Sequence, residues 1–274
     1  YIVGQMAHTY RYEAGGAAVL GSVQPQPLAH QADGSLALAD IEAAIKPDDA
    51  HYATTKLLAL ENTIGGKLLP LAYVQQATAL AASRGLARHL DGARLFNAAT
   101  AQATQLGRSG HDAVVHEAKR IAQCFDSVSV CLSKGLGAPV GSVLCGSKEL
   151  IQRAHRIRKM AGGGMRQVGL LAAAGAYALD HHVARLADDH ALARRLAEGL
   201  AGLDGVIVEA PQSNIVFVDL EGAAKARGAD LLPYLEARGI LATGLYKLRF
   251  VTHLDVDAAG VDQAVAVLRE FFSK

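Results

Sequence analysis

The feature that most constrains this chain is an alternation. Short apolar runs, each ending in polar or charged residues, are separated by Ala- and Leu-rich stretches with helical spacing. Lys56-Leu-Leu-Ala-Leu60 runs into Glu61-Asn62-Thr63, residues 86–90 run into Asp91, and residues 127–132 run into Ser133-Lys134-Gly135. Between the first two lies an Ala-rich helical stretch, 71–84, closed by Gly85. Such runs read as buried parallel strands, and their alternation with helices predicts an α/β domain with a mostly parallel sheet. Residues 141–145 read as another strand, followed by a basic helix through Lys159, a break at glycines 162–164 and long helices over 167–179 and 183–203. Residues 38–45 have helical spacing and stop before Pro47, whereas 15–25 read as loop and strand and the polar stretch 100–123 as surface loop and helix.

From about Val206 the pattern shifts to short strands at 207–208, 214–220 and 248–252, with helices near 231–238 and over 258–272. This predicts a small α+β C-terminal domain over 205–274, after a large domain over 1–204.

Hydrophobic residues make up 51% of the 274, enough for a sizeable core. The 27 basic and 26 acidic residues nearly cancel, aromatics are only 5%, and no basic stripe is present, which argues against nucleic acid as a partner. No apolar run reaches bilayer length, so no membrane role is expected. Cys124, Cys131 and Cys145 are odd in number and lack metal-ligand spacing. They read as small buried hydrophobes of a reducing, cytoplasmic compartment, and no metal site is expected.

In an open parallel sheet, functional groups gather at the carboxyl ends of the strands. Here an acid, an arginine and a lysine do so: Asp91, Arg94 and Lys134. A lysine closing an apolar strand is partly desolvated, which favours its neutral amine and suits reaction with a carbonyl. It can equally be a strand-end lysine reaching solvent. Asp91 can be a turn former, or a carboxylate partner for a protonated ring nitrogen.

The stretches around these residues carry a resemblance. His-Leu-Asp-Gly-Ala-Arg-Leu-Phe-Asn (89–97) and Val-Cys-Leu-Ser-Lys-Gly-Leu-Gly-Ala-Pro-Val-Gly-Ser (130–142) resemble the two central signatures of the low-specificity L-threonine and L-allo-threonine aldolases. Arg-Lys-Met-Ala-Gly-Gly-Gly-Met-Arg-Gln (158–167), Leu-Arg-Phe-Val-Thr-His-Leu-Asp-Val (248–256), Gly-Gln-Met-Ala-His-Thr-Tyr (4–10) and Leu-Glu-Asn-Thr-Ile-Gly-Gly-Lys (60–67) add to it, in family order along nearly the whole chain.

The resemblance implies the large fold-type-I domain of pyridoxal-phosphate enzymes plus a small C-terminal domain. It implies reversible cleavage of 3-hydroxy-2-amino acids to glycine and an aldehyde. By that similarity Lys134 forms the Schiff base with pyridoxal 5'-phosphate, Asp91 pairs with the pyridine nitrogen, and Arg94 sits near the phenolic oxygen and the substrate carboxylate. His8 stacks on the ring, Arg249 binds the α-carboxylate, and His51 lies near the substrate hydroxyl. Lys159 and Arg166 match residues reaching the phosphate of a neighbouring subunit, so a homo-oligomer is expected, a dimer at least and a tetramer by family type. His8, His51 or a water is the base.

The family's usual arginine–serine–aspartate–threonine opening and its serine/threonine–glycine–threonine phosphate turn are not in this sequence, which opens at Tyr1 as if inside the large domain. The alternatives are therefore a related pyridoxal-phosphate lyase or amino-acid racemase, or a truncated, non-catalytic fold.

Overall fold

A computed structural model describes residues 1–244 and 247–273, in two compact units divided between Ala184 and Arg185. In chain order the first unit contains β1 (Ile2–Gly4), α1 (His8–Arg11), α2 (Gly16–Val19), β2 (Gln26–Leu28), α3 (Leu38–Ala43), β3 (Leu57–Glu61), α4 (Leu71–Ser83) and β4 (Ala87–Asp91). It continues with α5 (Leu95–Gln105), α6 (His111–Ala122), β5 (Ser127–Cys131), β6 (Ser142–Gly146), α7 (Lys148–Met160) and α8 (Gly169–His181). The second unit contains α9 (Leu186–Leu200), β7 (Val206–Val208), β8 (Ile215–Leu220), α10 (Gly222–Ala226), α11 (Gly228–Glu236), β9 (Leu248–Val251) and α12 (Ala258–Ser273).

The first unit's sheet has the order β2-β1-β3-β4-β5-β6. Strands β1 to β5 are parallel and β6 runs antiparallel to β5 at the edge. The apolar runs form the central strands because both of their faces are covered: Leu58, Leu60 and Leu90 are buried. How α4 ends decides where β4 begins. Gly85 takes a positive φ of 70°, its N–H donates to the Ala82 carbonyl (3.0 Å), and the Leu86 N–H donates to that of Ala81 (2.9 Å). This left-handed cap closes the last turn and passes the buried Leu86 straight into the sheet.

Three expectations are corrected and one is refined. Residues 100–123 hold an exposed loop over 106–110 and the helix α6, as expected of a surface loop and helix, but their first residues continue α5, which packs against α6. Most polar residues of this stretch are exposed, but Glu117 is fully buried, bonded by Gln102 and by Arg120 at 2.9 Å, so polarity there also marks a buried contact. Residues 16–19 are a short helix, and the strand in this region is β2, whose Pro27 is tolerated because β2 pairs only with β1. The cysteines are not buried: Cys145 is exposed, on an edge strand whose five residues all face solvent, and Cys124 and Cys131 are half-buried. Finally, α9, assigned from sequence to the large domain, packs with the small unit. Its Leu196 and Leu200 join Val216, Val218, Leu231, Leu248, Phe250, Leu268 and Phe271 in one core over the antiparallel β7-β8-β9 sheet.

Leu90 is fully buried in a central strand. Leu90→Ala is expected to destabilise the protein by about 2–5 kcal/mol through lost burial and a residual cavity, read as a lower urea midpoint.

Candidate active site

Because β3, β4 and β5 are parallel, their carboxyl ends open on one side of the sheet. The register sets Glu61 beside Asp91, and Asp91 beside Ser129. The chain leaves β4 through a turn that leaves no room for a side chain. The Gly92 N–H donates to the Ser129 carbonyl at 2.8 Å, and a Cβ on Gly92 would stand 2.9 Å from that oxygen. Asp91 Oδ1 accepts the Ala93 N–H at 3.0 Å, which fixes the carboxylate and delivers Arg94, half-buried, to the start of α5.

Lys134 follows β5 in a loop braced from several directions. The Leu132 N–H donates to the Gly141 carbonyl (2.9 Å), that of Ala138 to Leu132 (3.0 Å) and that of Gly137 to Lys134 (2.9 Å). His182 Nδ1 bonds the carbonyl of buried Leu136 at 2.6 Å. The half-buried Lys134 therefore stands on a fixed loop.

Glu61 belongs to a strand-end cluster for which the sequence alone indicates no role in the site. Here it is half-buried and Oε2 accepts the His8 backbone N–H at 2.7 Å. Burial, with the Asp91 carboxylate pushing the same way, moves its carboxyl up to about 7, against the pull of the His8 N–H and of the Arg94 and Lys134 charges. Glu61, Asp91, Arg94 and Lys134 thus interact as one group, with His8 attached to it. The signal that could have found Glu61 was an acid closing a run as apolar as Leu57–Leu60.

The other expected residues sit on separate elements. The His8 side chain pairs with Glu13 (2.5 Å) and packs on the Tyr12 ring, 5.2 Å between centroids. His51 is on an exposed loop, paired with Asp49 at 2.7 Å, its side chain 90% exposed. Lys159 ends α7 and Arg166 lies in the loop beyond, both exposed. Arg249 is half-buried in β9 of the second unit.

The donor set at the strand ends fits pyridoxal phosphate: an amine for its aldehyde, a carboxylate for its ring nitrogen and a guanidinium for its phenolic oxygen. Thr63 Oγ1, just beyond β3, is buried with no hydrogen-bond partner, as an oxygen that a ligand completes would be.

The model of the beta-eliminating lyase family matches residues 1–223. The low-specificity L-threonine aldolase of Escherichia coli (strain K12) is 49% identical over 276 aligned positions, spanning all of this chain and 78% of that protein. The chain belongs to the threonine aldolase family, within the beta-eliminating lyases. Its fold agrees. The threonine aldolase of Leishmania major superposes with a TM-score of 0.81 at 22% identity, covering 99% of this chain and 77% of the other. An SPT structure holding PLP as its internal aldimine gives 0.67 at 18% identity, covering 98% and 65%. The fold is therefore that of the fold-type-I pyridoxal-phosphate enzymes.

The raised Glu61 carboxyl has a definite sign. A carboxyl with a folded pKa above its unfolded value stabilises the fold fully below about pH 4.5 and loses that contribution as the pH rises through about 7. In the cofactor-free protein, Glu61→Gln is expected to gain stability over the wild type between pH 4.5 and 7, on the order of 3 kcal/mol at the upper end, read from denaturation midpoints across that range. Parallel midpoints for the two proteins would contradict it.

Proposed function

We propose that this protein is a pyridoxal-phosphate-dependent aldolase that cleaves L-3-hydroxy-2-amino acids of the threonine, allo-threonine and phenylserine type to glycine and an aldehyde. The observation that carries the reading is the meeting of Asp91, Arg94 and Lys134 around Glu61 at the ends of three parallel strands, in a chain of the threonine aldolase family.

When bound, the cofactor supplies an electron sink for the pair released as Cα–Cβ breaks. In this reading, Lys134 would be the amine that holds the cofactor through its aldehyde carbon. Asp91, fixed by the Ala93 N–H, keeps a proton on the ring nitrogen. Arg94 binds the phenolic oxygen, and Arg249 takes the substrate carboxylate in the two-point geometry that suits a guanidinium. His8 covers the ring. The proton of the β-hydroxyl leaves to His8, to His51 or to a water held there, and the glycine carbon is reprotonated within the site.

The same reading makes the protein a cytoplasmic homo-oligomer, with Lys159 and Arg166 reaching the phosphate in a neighbour's site and a tetramer as the full assembly. Support comes from the apolar surface beside those cations. Ile157, Met160, Met165, Val168, Leu170 and Tyr177 are all exposed, Met160 to 79% and Leu170 to 82%, more apolar surface than a single subunit usually leaves to water. Among the described residues no helix is long and apolar enough to cross a membrane.

Lys134→Ala is expected to remove the absorbance band of the bound cofactor and to lower glycine release from threonine, allo-threonine and phenylserine by about 10³-fold or more. Ammonia or racemised amino acid without glycine would instead indicate the β-eliminating or racemising chemistry of related enzymes. Mixing Lys134→Ala with Arg166→Ala subunits is expected to restore roughly a quarter of the wild-type sites if sites are shared between copies, and none if they are not.

A further inference from the structure

The turn from β1 into α1 carries His8, and its backbone is tied down on two sides. On the β2 side, the Gln5 N–H donates to the Leu28 carbonyl at 2.7 Å and the Met6 N–H reaches His30 Nδ1 at 3.4 Å. The imidazole fits there only because Gly4 has no side chain: a Cβ would stand 2.2 Å from His30 Nε2. On the β3 side the anchor is the bond from the His8 N–H to Glu61 Oε2. That N–H belongs to the first turn of α1, where no earlier carbonyl can accept it, and Ala7 before it provides no side-chain cap.

Glu61 is an expensive way to satisfy one N–H. The residue is half-buried and its carboxyl stands beside a second carboxylate, Asp91, across the β3–β4 register. A site needing only a filled core would place an apolar residue here, as at Leu58 and Leu60. What the acid adds is a side-chain oxygen at the one point from which it reaches α1 while standing among Asp91, Arg94 and Lys134.

We propose that Glu61 is a positioning residue of the cofactor site: by accepting the His8 N–H it locks the His8-bearing turn to the strand end that carries the cofactor-binding groups. Its action on the ligand passes through His8, whose imidazole is held in turn by Glu13 at 2.5 Å. This inference rests on the reading above, in which His8 covers the cofactor ring. The operative property is the acceptor oxygen, which glutamine retains and methionine, of similar length, lacks.

The test uses the holoenzyme of the wild type, Glu61→Gln and Glu61→Met. Two readouts are followed: hydrogen–deuterium exchange of a peptide spanning residues 5–12, and the dissociation constant of pyridoxal phosphate from its absorbance. Glu61→Gln is expected to match the wild type within about threefold in both. Glu61→Met is expected to exchange faster at the His8 amide and to bind the cofactor about tenfold more weakly, the worth of one lost hydrogen bond to a buried group. A Met variant that matches the wild type in both readouts overturns the proposal. If the Met variant does not fold, Glu61→Gln decides alone: loss of cofactor affinity or of amide protection in that variant overturns it, because its acceptor is intact. A wild type with no cofactor band at all refutes the pyridoxal-phosphate reading itself, whatever the variants do.

Discussion

The parallel pairing of β3 with β4 is the constraint on which the rest of this molecule depends. It runs in register from Leu57 opposite Ala87 to Glu61 opposite Asp91, so two carboxyl groups finish side by side at one end of the sheet. Neighbouring strands stand about 4.8 Å apart, a separation at which two like charges with little water between them repel strongly. The structure answers with the opposite charges of Arg94 and Lys134 and with the His8 N–H, yet burial above all, and then the Asp91 charge, move the Glu61 carboxyl up to about 7. Asp91 is fixed by the Ala93 N–H instead. Two acids one strand apart thereby acquire different environments, a condition for assigning them different tasks.

The groups at this end are held by backbone geometry more than by their own side chains. The glycine cap at Gly85 sets where β4 begins, and so where Asp91 falls five residues after Leu86. The close approach of Gly92 to the Ser129 carbonyl sets where Arg94 emerges. Arg88 in β4 bonds Asp126 ahead of β5 through Nε at 2.9 Å, while the Asp126 N–H returns to the Arg88 carbonyl at 2.9 Å, which ties the lysine-bearing strand to its neighbour. The loop that presents Lys134 is pinned by His182, just past the end of α8. Each tie comes from a different segment, so the spacing of the charged groups is a property of the sheet and its turns together.

The central strands and most helices were legible because burial on both faces writes continuous apolar runs and because helix ends are marked by residues such as Gly85. In the α5–α6 pair the burial of Gln102 and Glu117 was not legible, because polarity by itself suggests solvent. Strand β2 escaped notice because an edge strand with a proline carries neither an apolar run nor an alternation. The cysteines were misjudged for a related reason: Cys145 lies in an apolar run, yet that run is an edge strand facing solvent. Among the candidate site residues, Asp91, Arg94 and Lys134 were legible as strand-end groups. Glu61 was visible only as an acid, since neither its burial nor its bond to a residue 53 positions earlier is written locally.

The sequence by itself determined the α/β class, the small C-terminal unit, the family and the three charged residues at the strand ends. These rest on local patterns, apolar runs and ordered motifs, that a single stretch of chain contains. Only the tertiary structure decided that α9 belongs with the small sheet, that Gln102 and Glu117 are buried, and that Glu61 stands between Asp91 and His8. Each of these depends on which distant segments share a sheet edge or a core. The raised Glu61 carboxyl is the clearest case, because it arises from excluded water and a neighbouring charge that no stretch of sequence contains.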